Sequence, residues 1–484
     1  MVEDTKKALK TKRVAQEDFI KFLSSLAILM LGMGLWLLAA PEGLSDSAWH
    51  ILIIFTLTIG GIIAKPLPMG AVSLIAFAVA VITKTIPLQE AFNGFGQSIV
   101  WFVVVALFIA EGFKVTGLGR RVALFFTALL GKKTLGLSYG LVATDLILAP
   151  LIPSVTGRVA GIVFPILQGI AESFGSNPNS PSAKRMGQFL TLTAFQATVI
   201  TSAMFMTAMA ANPMLVAYSA KQNMTLTWGS WALAAIVPGL VSLIVMPLIV
   251  YWMYPPEIKE TPDAAAFARQ QLKDMGRVKR SEWTMVGTLG LLLFMWIFGK
   301  EIGIDAAVAA LIGLSILLVT RVVAWENLLK MTIAWETFIW FSVLLLFAAQ
   351  LSSHGVIEWV VNLVEHHFLG FDWTIAFPLL VLLYFYTHYF FASSTAHVAA
   401  FYVPFLLLAI GFGTPPLLAM FVLVFSSSLF GGLTHYSLSP APLLFGVGYV
   451  PIKTWWLVGF VISVVNILIW FTIGPLWWKM IGLI

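Results

Sequence analysis

The chain has 484 residues, of which 60% are hydrophobic and only 10% charged. So little charge excludes a water-soluble globular protein of this size. The lack of cysteine excludes disulfides and thiolate metal sites. The net charge of +6 is laid out as membrane topology and implies no nucleic acid.

Residues 1–18 read as a polar, basic, cytoplasmic extension. The apolar run 19–38 behind them reads as a retained first span rather than a cleaved signal peptide. Further apolar runs follow at 49–63, 99–110, 189–211, 228–254, 284–298, 308–318, 334–349, 374–391, 415–433 and 454–473. None alternates with a period of two, so helices are expected rather than a barrel. The fold class is an all-α polytopic membrane protein with about 11 transmembrane helices plus two re-entrant hairpins. With the N-terminus inside, the outer segments keep only Lys84, Lys221, Lys300 and Lys479, as the positive-inside rule requires. This topology leaves the C-terminus outside.

The longest polar interruption, 255–282, separates two halves of opposite orientation and is expected to be partly helical. An inverted-topology repeat follows. The halves share a motif: Ser154-Val-Thr156-Gly-Arg158 through Pro165, and Ser393-Ser-Thr395-Ala-His397 through Pro404. Thr207 and Pro213 share their spacing with Thr434 and Pro440, in spans broken near the middle. Broken helices expose backbone groups that lipid cannot satisfy, so they line a polar cavity. Segments 134–153 and 158–171 lie too close for two ordinary spans, and lysines and arginines flank them on one side. They read as a hairpin from the cytoplasm, with 371–392 and 395–410 as its mirror from outside.

The tip hydroxyls Ser154, Thr156, Ser393 and Thr395 donate hydrogen bonds without adding charge, and each Thr is placed to cap the helix leaving its tip. Backbone amides and the positive helix end favour an anion there. Arg158 and His397, in the first turns, carry the wrong sign for that position unless a negative ligand fills the gap. A carboxylate suits the guanidinium fork. The competing reading makes Arg158 the ion-pair partner of Asp145 and His397 a structural imidazole. Glu111 is a weaker candidate, more naturally an interface residue. His354, His366 and His367 read as solvated and lack metal-site spacing. His388 and His435 lie near polar breaks, with His435 within possible reach of the ligand. Most tryptophans read as membrane-interface anchors. No nucleophile–base set, phosphate loop or metal motif is present, so no enzyme, cofactor or metal is expected.

The hairpin motifs, with Gly117-Leu-Gly119-Arg-Arg121, Leu148-Ala-Pro150 and Gly432-Leu-Thr434-His-Tyr436 through Gly446-Val-Gly448-Tyr449, resemble the divalent anion:sodium symporter family. Within it the chain is most similar to the bacterial citrate/succinate and dicarboxylate exchangers. The resemblance implies a homodimer in the bacterial inner membrane, with a scaffold and a mobile transport domain working as an elevator. It assigns scaffold helices to 19–131 and 283–370, transport-domain hairpins and broken helices to 132–254 and 371–484, and a linker to 255–282. Sodium-coupled members carry Ser-Asn-Thr at both tips, whereas Val155 and Ser394 stand at the Asn positions here. The resemblance points to Ser154, Val155, Thr156, Ser393, Ser394 and Thr395 at the substrate, then Ala211, Asn212, Ser439 and Pro440. The expected function is sodium-independent exchange of C4/C5 dicarboxylates, with Arg158 and His397 replacing the coupling ions. Sodium-coupled symport and cation/proton antiport through Asp145, Glu111 and His397 are the alternatives.

Overall fold

In hydrocarbon each backbone N–H and C=O must find its partner within the chain, and apolar runs do so as helices. The computed structural model describes residues 23, 24, 26–356, 358, 359, 362 and 372–484. The basic extension, His366 and His367 lie outside the described residues. Among the described residues there is no strand, and eight helices are long and apolar enough to cross a membrane by length and composition.

In chain order, α1 (Leu26–Trp36), α2 (Asp46–Ala64), α3 (Met69–Ile82) and α4 (Ser98–Thr116) lead to α5 (Leu118–Leu130). The turn between α4 and α5 is Gly117, whose φ of 76° suits a residue without Cβ. The first hairpin is α6 (Thr134–Leu148) and α7, which runs from Val155–Arg158 through a π-helical stretch to Phe164–Ser173. A broken helix follows as α8 (Gly187–Met204) and α9 (Asn212–Lys221), then α10 (Trp228–Met253) and the linker helix α11 (Pro262–Asp274). The second half has α12 (Arg280–Ile302), α13 (Ala306–Val319) and α14 (Thr332–Ser353). Its hairpin is α15 (Trp373–Tyr386) and α16 (Ser394–Gly411). Its broken helix is α17 (Pro416–Leu429) and α18 (Ala441–Gly446), and α19 (Ile452–Leu468) closes the chain through Gly474–Met480. The order hairpin, long helix, break, short helix, long helix thus occurs twice.

The first arm of the first hairpin is short. The 15 residues of α6 rise only about 22 Å at ~1.5 Å each, against roughly 30 Å of hydrocarbon. The arm is therefore shorter than the hydrocarbon is thick, and Pro150 and Pro153 follow its end. The breaks have local causes too. Phe205 (φ −131°, ψ 134°) and Met209 (φ −145°, ψ 142°) are extended around a tight turn, and Pro213 opens α9. Proline is tolerated there because the N–H it lacks has no partner in a first turn.

Two packed groups result. Helices α2, α3, α4, α13 and α14 contact one another, while α8 packs on α6, α10 and α17. All 18 residues of α8 are buried, as is α17 from Ala419 to Leu429. Their Ala, Ser and Thr side chains let the neighbouring backbones approach closely. Four tryptophans differ from the interface-anchor expectation. Trp231, Trp455, Trp470 and Trp478 are fully buried, and the indole N–H of Trp231 and Trp478 donates to Ala203 O and Ala234 O. A buried indole needs such a partner, and here it braces one helix against another.

Polar loop contacts sort into two ends. At one end lie Gly70–Glu336, Arg121–Glu282 and Asn179–Gly448; at the other lie Trp359–Glu42 and Gln350–Glu90. Each contact joins loops that the charge pattern assigns to one side. The linker does more than connect. Arg121 grips Glu282 with Nε at 2.9 Å and Nη2 at 3.2 Å, and donates to Gly276 O. Thr134 N and Thr261 N donate to Lys259 O and Lys132 O.

Candidate functional site

Each hairpin tip is a non-helical stretch followed by a helix whose first amides need acceptors. The residues that supply them are Ser154 and Ser393. Ser154 Oγ accepts from Gly157 N at 3.0 Å, and Ser393 Oγ accepts from Ala396 N at 3.3 Å. The expectation that each Thr caps its helix is corrected, because Thr156 and Thr395 already lie inside the first turn. Their hydroxyls are released for other partners, and Thr156 Oγ1 donates to Ser439 Oγ at 3.0 Å. That bond joins the first tip to the break of the second broken helix.

Arg158 does not face the gap between the tips. It is fully buried beneath the first tip, and its five N–H donors are all engaged. Nε meets Asp145 Oδ1 at 3.1 Å, and Nη1 donates to Ile152 O at 2.7 Å and Ala208 O at 2.5 Å. Nη2 donates to Ser202 Oγ at 3.1 Å and Thr198 Oγ1 at 3.4 Å. Asp145, 1% exposed, also accepts from Thr201 Oγ1. The expectation of a guanidinium fork on the ligand's carboxylate is therefore corrected: the fork is used within the protein, and Asp145 cancels its charge. The physical reason is that a buried cation is costly unless paired and fully hydrogen-bonded. Here α8 supplies the hydroxyls that complete the set. Asp145 is equally committed, with Oδ1 on Arg158 and Oδ2 on Thr201.

His397 is also fully buried, one turn behind the second tip. Its Nδ1 lies 3.0 Å from His388 Nδ1, and its Nε2 lies 3.3 Å from Thr387 Oγ1. His388 Nε2 lies 3.0 Å from Ser437 O, which also accepts from Ser394 Oγ at 3.3 Å. The second tip is thus tied to the second break as the first tip is tied to the first. Thr207 Oγ1 donates to Pro150 O at 2.6 Å on the inner side.

Asn212 is buried and fully used: Nδ2 donates to Ser202 O and Phe205 O, and Oδ1 accepts from Ser428 Oγ. It holds the first break against α17 rather than reaching outward. Val155, Ser394, Ala211 and Pro440 are likewise buried, whereas Ser154, Thr156, Ser393 and Thr395 are half-buried and Ser439 is exposed. The accessible polar wall is therefore made of hydroxyls, with backbone amides of two helix starts behind them. Hydroxyls and helix-start amides are groups able to hold an anion by hydrogen bonds and helix dipoles.

Among the weaker candidates, Glu111 pairs with Lys114 at 3.3 Å, and His354 Nδ1 lies 2.9 Å from Gln350 O. His435 Nδ1 accepts from Trp456 Nε1 at 3.1 Å. Sequence reasoning passed over Thr198, Thr201 and Ser202, whose one-face spacing on a buried helix is a readable signal. It also passed over Thr387, Ser428 and Ser437, which no spacing singles out.

Comparison with known proteins identifies relatives over nearly the whole chain. The model of the sodium:sulfate symporter transmembrane region matches residues 19–484. The chloroplastic dicarboxylate transporter 1 of Arabidopsis thaliana is 48% identical over 463 residues, covering 95% of this chain and 83% of that protein. The citrate/succinate antiporter of Escherichia coli (strain K12) is 34% identical over 483 residues, 95% and 98% of the two chains. The crystal structure of the YdaH transporter of Alcanivorax borkumensis superposes with a TM-score of 0.52 at 13% identity, over 96% of this chain and 98% of that one.

Proposed function

The chain belongs to the family of the sodium:sulfate symporter transmembrane region, and we propose that within it this protein is an antiporter of C4/C5 dicarboxylates that needs no sodium. The coarser statement is firm: it is a membrane transporter of dicarboxylates and not an enzyme. The substrates are of the succinate, malate and 2-oxoglutarate type.

The observation that carries sodium independence is the set of oxygens under the first tip. Ile152 O, Ala208 O, Thr198 Oγ1 and Ser202 Oγ are the hard oxygen ligands that a small cation would take, and the Arg158 guanidinium occupies them. A sodium ion leaves with its cargo; Arg158 cannot leave. Val155 and Ser394, at the positions where the family resemblance implies Asn in sodium-coupled members, withdraw two further ligands. The hydroxyl wall then binds a dianion without a coupling cation.

Exchange follows if the empty wall moves less readily than the filled one. Unmatched hydroxyls and amides entering a low-dielectric barrier cost on the order of 1–3 kcal/mol each, and the cargo's carboxylates satisfy them. The elevator reading is supported by the surface along which movement would occur. Among the described residues, no hydrogen bond or ion pair joins 46–116 and 280–353 to 134–221 and 394–446. Apolar side chains such as Phe55, Ile59, Leu351 and Phe401 line the groove between them. Near Lys221 the boundary is polar, lined by Glu90, Asn93, Gln97 and Gln350, but with no bond across it among the described residues the surface permits sliding. The inverted repeat, the dimer, the inner-membrane setting and a cytoplasmic N-terminus belong to the same proposal.

The test is uptake of labelled succinate by proteoliposomes that hold unlabelled succinate, measured as external sodium is replaced by choline. A rate that ignores the replacement supports the reading. A rate that climbs with sodium returns the protein to coupled symport. Competition by malate, 2-oxoglutarate and citrate ranks the substrates.

A further inference from the structure

From Trp373 through Ile452 the sequence contains no Asp, Glu, Lys or Arg. The second hairpin and second break therefore contain no permanent charge. In the first half, Asp145 cancels Arg158 at 3.1 Å. Any uncancelled positive charge close to the tips must come from an imidazole, and His388 and His397 are the pair within reach.

Their hydrogen bonds fix where the protons are. Ser437 O can only accept, so His388 Nε2 carries a hydrogen. The Nδ1 of a neutral His388 is then an acceptor, so His397 Nδ1 carries a hydrogen and donates to it. That leaves His397 Nε2, 3.3 Å from Thr387 Oγ1. With Nε2 bare, the Thr387 hydroxyl donates to it. With Nε2 protonated, Nε2–H donates to Thr387 Oγ1, and the hydroxyl turns to Tyr384 O, 2.9 Å away. Both charge states are fully hydrogen-bonded, and only a hydroxyl rotates between them.

Aromatic rings surround the pair. The His397 ring lies 4.5 Å from Phe430, 4.6 Å from Phe391 and 4.9 Å from Tyr384, and His388 stacks on Phe430 at 3.9 Å. Aromatic faces attract a cation. The pair is shielded from water, which disfavours a cation there unless a nearby negative charge offsets the burial. Elements packed on this hairpin bring Asp46, His50 and Lys65 on or just after α2, Tyr218 and Lys221 on α9, Tyr402 on α16, and Tyr386, Tyr389, His435 and Tyr436 nearby. Among the described residues, none of these bonds, pairs or stacks with either imidazole. Tyr384 contacts His397 by its ring, but its hydroxyl is bonded to Ser427.

We propose that His388 and His397 form a one-proton site, and that the pair takes up a proton when a dicarboxylate dianion occupies the hydroxyl wall one turn away. This rests on the dicarboxylate reading above and adds the missing charge balance. Proton uptake is linked to binding, so affinity falls as pH rises, up to about tenfold per unit for one proton.

The experiment uses the full chain in detergent, lightly buffered at about pH 7.5, well above the carboxylate range of ~4. Potassium succinate is added while a pH indicator reports protons taken up; binding is read separately as thermal stabilisation. The wild type takes up close to one proton per bound succinate, and its affinity declines with pH. In His388→Gln, His397→Gln and Thr387→Val the proton count drops toward zero and the pH dependence flattens. Succinate binding without proton uptake in the wild type overturns the inference and leaves the transport reading intact, whether or not the variants fold. Uptake that persists in all three variants also overturns it. Failure of succinate, malate and citrate alike to stabilise the wild type removes the transport reading as well.

Discussion

Replacing Arg158 with Ala separates a structural keystone from a ligand. The change strands Asp145, which is 1% exposed and keeps only Thr201 as a partner, and leaves Ile152 O and Ala208 O without this donor. Breaking a buried pair by removing one partner costs about 3–5 kcal/mol, a large share of the roughly 5–15 kcal/mol by which folded proteins are stable. At ~1.4 kcal/mol per decade, the folded-to-unfolded ratio falls by roughly two to three and a half powers of ten. Asp145→Asn incurs a similar loss by stranding the guanidinium. The double variant Asp145→Asn/Arg158→Gln, neutral and still able to hydrogen-bond, costs clearly less than the two single losses added. Arg158→Lys recovers little, since three ammonium hydrogens cannot serve five acceptor directions. The assay is thermal unfolding in detergent, followed by size-exclusion fluorescence, with a double-mutant cycle for the pair. Wild-type melting of Arg158→Ala combined with a selective loss of succinate-dependent stabilisation would refute this reasoning, because that is how a ligand-contacting residue behaves.

Thr156→Val removes the hydroxyl that meets Ser439 on the accessible wall; melting should stay within about 0.5 kcal/mol of wild type, as for surface changes, while succinate affinity drops by several-fold in a thermal-shift titration. Asn212→Ala abandons two donated bonds and one accepted bond in a dry interior, so a stability loss of roughly 1–3 kcal/mol is expected, with Ser428→Ala milder; equal melting for Asn212→Ala and wild type counts against the assigned role. Arg121→Ala frees Glu282 and Gly276, so trypsin should cut the linker near Lys273, Arg277 and Lys279 faster than in wild type, and an unchanged digestion rate would mean that the clamp does not hold the linker.

Much of the fold was legible because hydrocarbon restricts the choices. Apolar runs had to be helices, and the four-residue gap between the arms at Ser154 left room only for a tight turn, although both arms beside Ser393 are long enough to cross a membrane by themselves. The paired Pro and Thr positions marked where helices break. The observed arms, Thr134–Leu148 and Trp373–Tyr386, fall inside the expected segments. The direction in which Arg158 points was not legible. Spacing along the chain gave Asp145 as a possible partner, but the remaining acceptors arrive from a separate helix and from the backbone of a break. A carbonyl such as Ala208 O leaves no trace in the sequence. The same holds for His397, whose partner His388 was visible only as a residue near a break. The capping assignment failed for a simpler reason: Ser and Thr in one tip motif compete for the cap, and the first helical residue decides between them.

The most direct measurement compares two populations of proteoliposomes bearing the full chain in sodium-free potassium medium, one loaded with unlabelled succinate and one empty. The account requires rapid entry of labelled succinate into the loaded vesicles and near-background entry into the empty ones. It also requires the same contrast when sodium is added outside. Concentrative uptake into empty vesicles, driven by an inward sodium gradient, would contradict it.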